Sequence, residues 1–219
     1  MKRYPFEGII TSTPRSGTKY ISTLLNEVGC GTSHERYHRW YNHYLFSWKP
    51  RYTEVSWCAA GELDRLKAYH SATPVLHQVR HPVDTINSLL FTRQMLWNQN
   101  VNWRVNGDGW VRYKLDTFER LGWEMPLEHV AATQEFWWRW HWWIDRWQSF
   151  RYRIEDVDEE TVNTIAAYLG RKPHDVAKKL ESIPKNKNSV GEVPAVIGWK
   201  DLTPKVRQLA ESYGYKEQA

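Results

Sequence analysis

A short β-branched run, broken by a proline and followed at once by a helical pattern, constrains this chain more than any other feature. In residues 9–25, IITSTPRSGTKYISTLL, the strand-like stretch spans 7–13 and stops at Pro14, because β-branched residues favour extended backbone and proline cannot donate to a ladder. From Gly17 onward Tyr20, Ile21, Leu24, Leu25 and Val28 recur at helical spacing as far as Gly29, which predicts an amphipathic helix with a glycine at its end. A strand, a tight turn and a helix in that order leave the first helical amides without carbonyl partners, and the helix dipole adds partial positive charge at the same point. Such a turn suits an anion. Arg15 and Lys19 add full charges, Ser16 and Thr18 add hydroxyl donors, and Gly17 lets the backbone approach a phosphate closely. The plainer alternative is a basic turn that caps a helix and binds nothing.

A nucleoside-triphosphate loop needs GxxxxGK[ST], so that the Lys reaches the β- and γ-phosphates and the next hydroxyl holds Mg²⁺. Here the order is Gly17-Thr18-Lys19, Tyr20 stands where the metal-binding hydroxyl would be, and no apolar run ending in Asp offers a second metal ligand. ATP hydrolysis is disfavoured on those grounds.

The same architecture recurs later. Residues 73–79, TPVLHQV, predict a second buried strand, and RHPVDTINSLL follows immediately. Pro82 fits the first helical position and Asp84 the first turn, where a carboxylate favours the dipole. Val83, Ile86 and Leu90 form the expected core stripe, with Ser88 turned away from it on the side of Asp84 and open to a ligand. Arg80 ends the strand, where open parallel sheets bind ligands. Arg80 and Ser88 are placed to share one phosphate.

Together these motifs resemble the sulfotransferases that use 3′-phosphoadenosine 5′-phosphosulfate (PAPS). TSTPRSGTKYISTLL is similar to their 5′-phosphosulfate loop, and VRHPVDTINSLL to their 3′-phosphate motif, in which an Arg and a Ser stand at the spacing of Arg80 and Ser88. FRYRIEDV, residues 150–157, resembles the family's third core strand, and GWKDLTP, residues 198–204, its Gly-x-Trp-Lys segment before the last helix. The resemblance runs through the chain in order and is weakest over about residues 92–135, which is then the expected substrate-specific insertion. It implies a P-loop-like three-layer α/β sandwich with a short central parallel sheet and helices on both faces. It implies PAPS as sulfuryl donor, adenosine 3′,5′-bisphosphate as product, and no metal. Arg15, Ser16, Gly17, Thr18 and Lys19 would hold the phosphosulfate, with Arg80 and Ser88 on the 3′-phosphate. In the branch containing the tyrosylprotein, heparan and bacterial sulfolipid enzymes, to which the motif layout is closest, a Glu about twenty residues after the loop's basic residue acts as base, and Glu35 in GCGTSHERYH occupies that place. Its neighbour His34 is the second candidate, since imidazole titrates near neutrality. Read alone, HER is better explained as a solvated turn with a surface ion pair; the positional match to the family is what favours a base. The phenol and steroid branch carries a catalytic His before the 3′-phosphate Arg; His70 and His77 lie in that interval, and neither is assigned.

The segment 136–150, FWWRWHWWIDRWQSF, has helical spacing that puts Phe136, Trp140, Trp143, Ile144 and Trp147 on one face, with Trp137 at its edge. Trp138 and Trp142 lie on the side of Asp145 and Arg146 and are either packed or available as a stacking platform for an acceptor. Toward the C-terminus SIPKNKNSVGEVPAVIGWK predicts a mobile loop over about 183–199, and TPKVRQLAESYGY a helix with Thr203 as N-cap and Pro204 at its first position. The family's corresponding segment contributes cations to the 3′-phosphate, and Lys185, Lys187 and Lys200 are available; the Arg-Lys-Gly triplet of the phenol and steroid enzymes is missing here.

Composition fits this reading. With 219 residues and 41% hydrophobic content the chain is sized for one α/β domain, 1–219. A net charge of +5 suits an anionic partner, but no nucleic-acid recognition signature accompanies it, acidic residues dilute the basic and aromatic stretch WNQNVNWRVNGDGWVRYK, and none is expected to bind. No apolar run reaches membrane-span length, and Cys30 and Cys58 form neither a disulfide framework nor a metal-ligand spacing. The expectation is a cytoplasmic sulfotransferase acting on a hydroxyl-bearing acceptor, whether carbohydrate, tyrosyl, lipid or small metabolite. The competing expectations are a small-molecule kinase with a degenerate phosphate loop and a non-catalytic nucleotide- or carbohydrate-binding module.

Overall fold

The computed structural model describes residues 7–35, 53–92, 109–124, 126, 128–184 and 193–217. The chain divides into two compact units, one formed by Met1–Arg80 with Trp143–Val190, the other by His81–Trp142 with Gly191–Ala219.

The first unit is α/β. Its five-stranded sheet contains β1 (Gly8–Thr11), β2 (Thr32–His34), β3 (Thr53–Val55), β4 (Val75–Val79) and β5 (Phe150–Arg153) in the order β2-β3-β1-β4-β5. Every pairing is parallel, with Ile10 opposite Val55 on one side of β1 and opposite Leu76 on the other. Parallel strands covered on both faces read as unbroken apolar runs rather than alternations, which is why β1 and β4 were legible as GIIT and VLHQV. On one face Ile10, Val55, Leu76 and Tyr152 join a core with Ile21, Leu24 and Leu25 of α1 (Thr18–Glu27). Val162, Ile165 and Ala166 of a later helix, Glu159–Tyr168, and Val176 of Val176–Ser182 complete it. Each aliphatic side chain fully buried there contributes roughly 1.5–3 kcal/mol against leaving it in water. β1 is the hub, with β2 and β3 added on one side and β4 and β5 on the other. The loop leaving β1 therefore emerges where the strand order reverses, the place at which such sheets bind ligands.

α2 (Leu63–Tyr69) precedes β4 in the first unit. In the second unit α3 (Pro82–Phe91), where Pro82 takes the first position as expected, is followed by the helices Gly109–Arg120, His129–Ile144 (as far as Trp142) and Pro204–Ser212. Its core is aromatic: the Phe136 and Trp140 rings lie 4.8 Å apart, and Phe118 stacks on both at 6.0 and 6.4 Å. The tryptophan-rich helix differs from the sequence expectation at both ends. It starts at His129, because the Glu128 carboxylate accepts hydrogen bonds from the amides of Val130 and Ala131 at 2.9 and 2.6 Å, and it ends at Ile144 rather than running on to residue 150. Phe136, Trp137, Trp140 and Ile144 are fully buried, whereas Trp143 and Trp147 are half-buried. A second correction concerns α3. Instead of one buried stripe, Thr85, Ile86, Asn87, Ser88, Leu89 and Leu90 are all buried and Val83 is only half-buried, so Ser88, at 3% exposure, is not on an open face. The Asn87 side chain accounts for part of this enclosure, accepting from the amides of Val196 and Ile197 and donating to the Ile197 carbonyl.

Candidate active site

β1 ends at Thr11, whose hydroxyl donates to the Ser56 carbonyl at 2.8 Å. The chain then turns through Ser12–Gly17 with Arg15 at φ +67° and Gly17, the N-cap of α1, at φ +87°. Two carbonyls of this turn are held by β4 and the residue after it. The Arg80 guanidinium donates to the Arg15 carbonyl at 2.9 Å, and the Gln78 amide to the Ser16 carbonyl at 2.5 Å. Gln78 is itself fixed by the Tyr152 hydroxyl of β5 at 2.9 Å. A trans peptide is planar, with its N–H opposed to its C=O. Pinning those two carbonyls on β4 therefore turns the amides of Ser16 and Gly17 the other way. The first backbone bond of α1 runs from Ile21 N to Gly17 O at 3.2 Å, so the amides at Gly17–Lys19 form the helix's open, electropositive end.

The surroundings of the loop ask for negative charge. Arg15 is half-buried, and its guanidinium is held below its ordinary value, first by burial and then by the positive charge of Arg80. Two cations facing each other in a partly buried site are relieved by a bound anion. The hydroxyls of Ser12, at the head of the loop, and of Tyr20, on α1, are buried without a hydrogen-bond partner among the described residues, and such groups are uncommon unless a ligand or water completes them. Lys19 is exposed, whereas Ser16 is buried with its hydroxyl 2.7 Å from that of Thr13.

The second half of the site comes from β2, an edge strand three residues long. Its Thr32 amide donates to Asn26 Oδ1 at 2.6 Å and its hydroxyl lies 2.9 Å from Ser22 Oγ, both on α1. These contacts carry His34 to the start of the helix, with Nε2 3.1 Å from Thr18 Oγ1 and 3.5 Å from Glu35 Oε1. Glu35 takes a left-handed backbone, φ +53°, held by its amide donating to the Val55 carbonyl at 3.1 Å. A non-glycine residue in that region is strained, and such strain concentrates at functional positions. Burial, reinforced by the Lys19 charge, lowers the His34 pKa to about 4. Burial raises the Glu35 carboxyl above its ordinary value against an opposing pull from Lys19. Near neutrality the imidazole is consequently uncharged, and His34 and Glu35 form a half-buried strand end rather than a solvated turn; Arg36 lies outside the described residues.

The structure thus brings Arg15, Ser16, Gly17, Thr18, Lys19, His34, Glu35 and Arg80 together in the first unit. Ser88 belongs to the second unit. Lys185 and Lys187 lie outside the described residues. Lys200 is highly exposed, its Nζ 3.7 Å from Glu217 Oε1. Trp138 and Trp142 stack with centroids 5.9 Å apart, but the Lys205 ammonium sits 4.5 Å from the Trp138 centroid, the Arg139 guanidinium lies 5.2 Å from it, and Glu135 pairs with both cations. His77 is fully buried, its Nδ1 2.9 Å from Asp145, and burial holds its pKa down; His70 lies in the turn after the helix Leu63–Tyr69. Sequence reasoning missed Gln78 and Tyr152, which carry the loop's geometry. A Gln inside an apolar strand was the available signal, since a buried amide requires a partner. Among the described residues no group of three or more His, Cys, Asp or Glu side chains could hold a metal ion, and no helix is long and apolar enough to cross a membrane.

No family model matches the chain, and no curated protein matches it. Among solved structures it is similar to the crystal structure of a sulfotransferase from Alicyclobacillus acidocaldarius, at 14% identity and a TM-score of 0.45, over 98% of this chain and 92% of that one.

Proposed function

We propose that this protein is a PAPS-dependent sulfotransferase that moves a sulfuryl group to an acceptor hydroxyl, with Glu35 as general base. The observation that carries the reading is the meeting of two sequence motifs in one place: the loop at Arg15–Lys19 and the residue at the family's base position are joined through Thr18, His34 and Glu35. The bound nucleotide would supply an activated sulfuryl group on a phosphate leaving group. Arg15 and Lys19 counter the charge that develops as that bond breaks, and the amides and hydroxyls of Ser16 and Thr18 orient the group between them; losing one such stabilising contact typically costs about two to three orders of magnitude in rate. A carboxyl with a raised pKa is a stronger base than a solvated one and is suited to taking the acceptor's proton. Arg80 is assigned to the 3′-phosphate from its motif. Arg80 also holds the Arg15 carbonyl. The segment at about 92–135 is the proposed determinant of the acceptor.

Calorimetric titration with adenosine 3′,5′-bisphosphate in the absence of metal, beside ATP with Mg²⁺, tests the assignment. Tight, metal-independent binding of the bisphosphate is expected. Preference for Mg-ATP would make the protein a kinase instead, and binding of neither would overturn both. With an acceptor in hand, Glu35→Gln is expected to lower turnover by roughly a hundred- to ten-thousandfold, and near-normal turnover in that variant would remove Glu35 as base.

A further inference from the structure

The contacts at the start of α1 leave one proton to be placed. A single atom, His34 Nε2, faces the Thr18 hydroxyl at 3.1 Å and the Glu35 carboxylate at 3.5 Å. A neutral imidazole presents at that nitrogen either an N–H or a lone pair, never both. A lone pair would confront an ionised carboxylate oxygen with no proton between them, whereas an N–H donates to the threonine oxygen and presents its positive end to the carboxylate. With Nε2 protonated, Thr18 Oγ1 is an acceptor from His34, and its own hydrogen must point elsewhere. Thr18 is the first residue of α1, so its hydroxyl stands at the open end of the helix, beside the amides of the loop.

We propose that His34 is a positioning residue rather than a base: kept protonated at Nε2 by the nearby Glu35 carboxylate and donating from there to Thr18, it fixes the Thr18 hydroxyl as a donor to the anion bound in the loop and ties that donor to the ionised state of Glu35. The proposal rests on the loop being the phosphosulfate site. The groups around the pair are consistent with it. Lys19 on α1 acts on both His34 and Glu35 and disfavours a second positive charge on the imidazole. Glu54 of β3 is in register with Ser33 and, by strand alternation, lies on the sheet face opposite His34. Ser22 of α1 and Thr32 of β2, which meet beside the pair, carry no charge. His34, the second candidate for the base, thereby becomes the reason the first candidate and the anion loop act together.

Nitrogen-15 spectra of imidazole-labelled protein read the tautomer without any ligand. The expected result at pH 7.5 is His34 as the neutral Nε2–H form, its signals assigned by their loss in His34→Gln; an Nδ1–H or imidazolium signal would overturn the proposal. The second measurement is affinity for adenosine 3′,5′-bisphosphate. Thr18→Val is expected to weaken binding about tenfold, the size of one hydrogen bond to a charged group. Thr18→Ser is expected to restore it. His34→Gln, whose amide places an N–H where Nε2 stood, should bind like the wild type, whereas His34→Ala should lose most of the tenfold and leave Thr18→Val with little further effect. A full tenfold loss from Thr18→Val in both His34 backgrounds would overturn the coupling. If the wild type binds no bisphosphate, the sulfotransferase reading falls together with the anion half of this proposal, and the tautomer measurement decides the imidazole half separately.

Discussion

Gly17, at φ +87°, occupies backbone that an L side chain rarely adopts, and a Cβ there would stand 3.1 Å from Ile154 Cγ1. Gly17→Ala is therefore expected to lower stability by about 1–2 kcal/mol, read as a shift in urea midpoint, and to weaken anion binding by tilting the loop amides. Tyr152 is a quieter determinant. Its hydroxyl is the buried partner of Gln78, which in turn holds the Ser16 carbonyl. Tyr152→Phe leaves the Gln78 oxygen buried with that bond gone, at an expected cost of about 1–3 kcal/mol in equilibrium unfolding; an unchanged midpoint would mean that the loop does not depend on this chain of contacts. Arg15, Thr18 and Glu35 were legible in the sequence because motif and spacing mark them. Gln78 and Tyr152 were not, since what they do depends on partners far away along the chain, which local patterns do not encode. The burial of Ser88 escaped for a related reason: a single-helix projection shows which residues share a side, not how much of the helix its surroundings enclose.

At the scale of elements, β1, β4 and the start of α1 were readable because apolar runs, proline and helical spacing agree there. β2 and β3 were not, as three-residue strands carry too few positions for a period to emerge. Yet β2 delivers His34 and Glu35, so the element hardest to read is the one that completes the site. The tryptophan-rich helix shows the reverse case: its existence was plain, its start was not, because that is set by side-chain contacts of Glu128 to the first amides, which an aromatic pattern does not announce. Its faces differ in consequence. Trp140 is fully enclosed by Phe118, Phe136 and Tyr113, and Trp140→Ala is expected to cost about 3–5 kcal/mol. Trp138 is half-buried and rests on Lys205 and Arg139, so Trp138→Ala should cost distinctly less in the same thermal melts. Equal losses would contradict this division of the helix.

For the molecule as a whole, two imidazoles give stability a pH dependence of known sign. In the unfolded chain both His34 and His77 titrate near 6.5. In the folded protein burial holds both lower, His34 at about 4. Between those values these two groups bind more protons in the unfolded chain than in the folded one, so their contribution to stability is complete above about pH 6.5 and is lost as pH falls through that window. His34→Gln should remove one share of the slope, reducing the loss between pH 7 and pH 5 by about 1–2 kcal/mol in denaturant titrations; an identical slope would place the His34 proton affinity near its ordinary value. The position of β1 has a further consequence, for the order in which the molecule is made. Each of its neighbours comes from a distant part of the chain, Ile9 aligning with both Glu54 and Val75, and the strand that holds Gln78 in turn needs Phe150 and Tyr152 to arrive. Closing such long loops before any contact rewards them makes parallel sheets slow to form. The Ser12–Gly17 loop should accordingly acquire its shape among the last events of refolding, and any ligand that recognises that shape would report the fully assembled sheet and no earlier species.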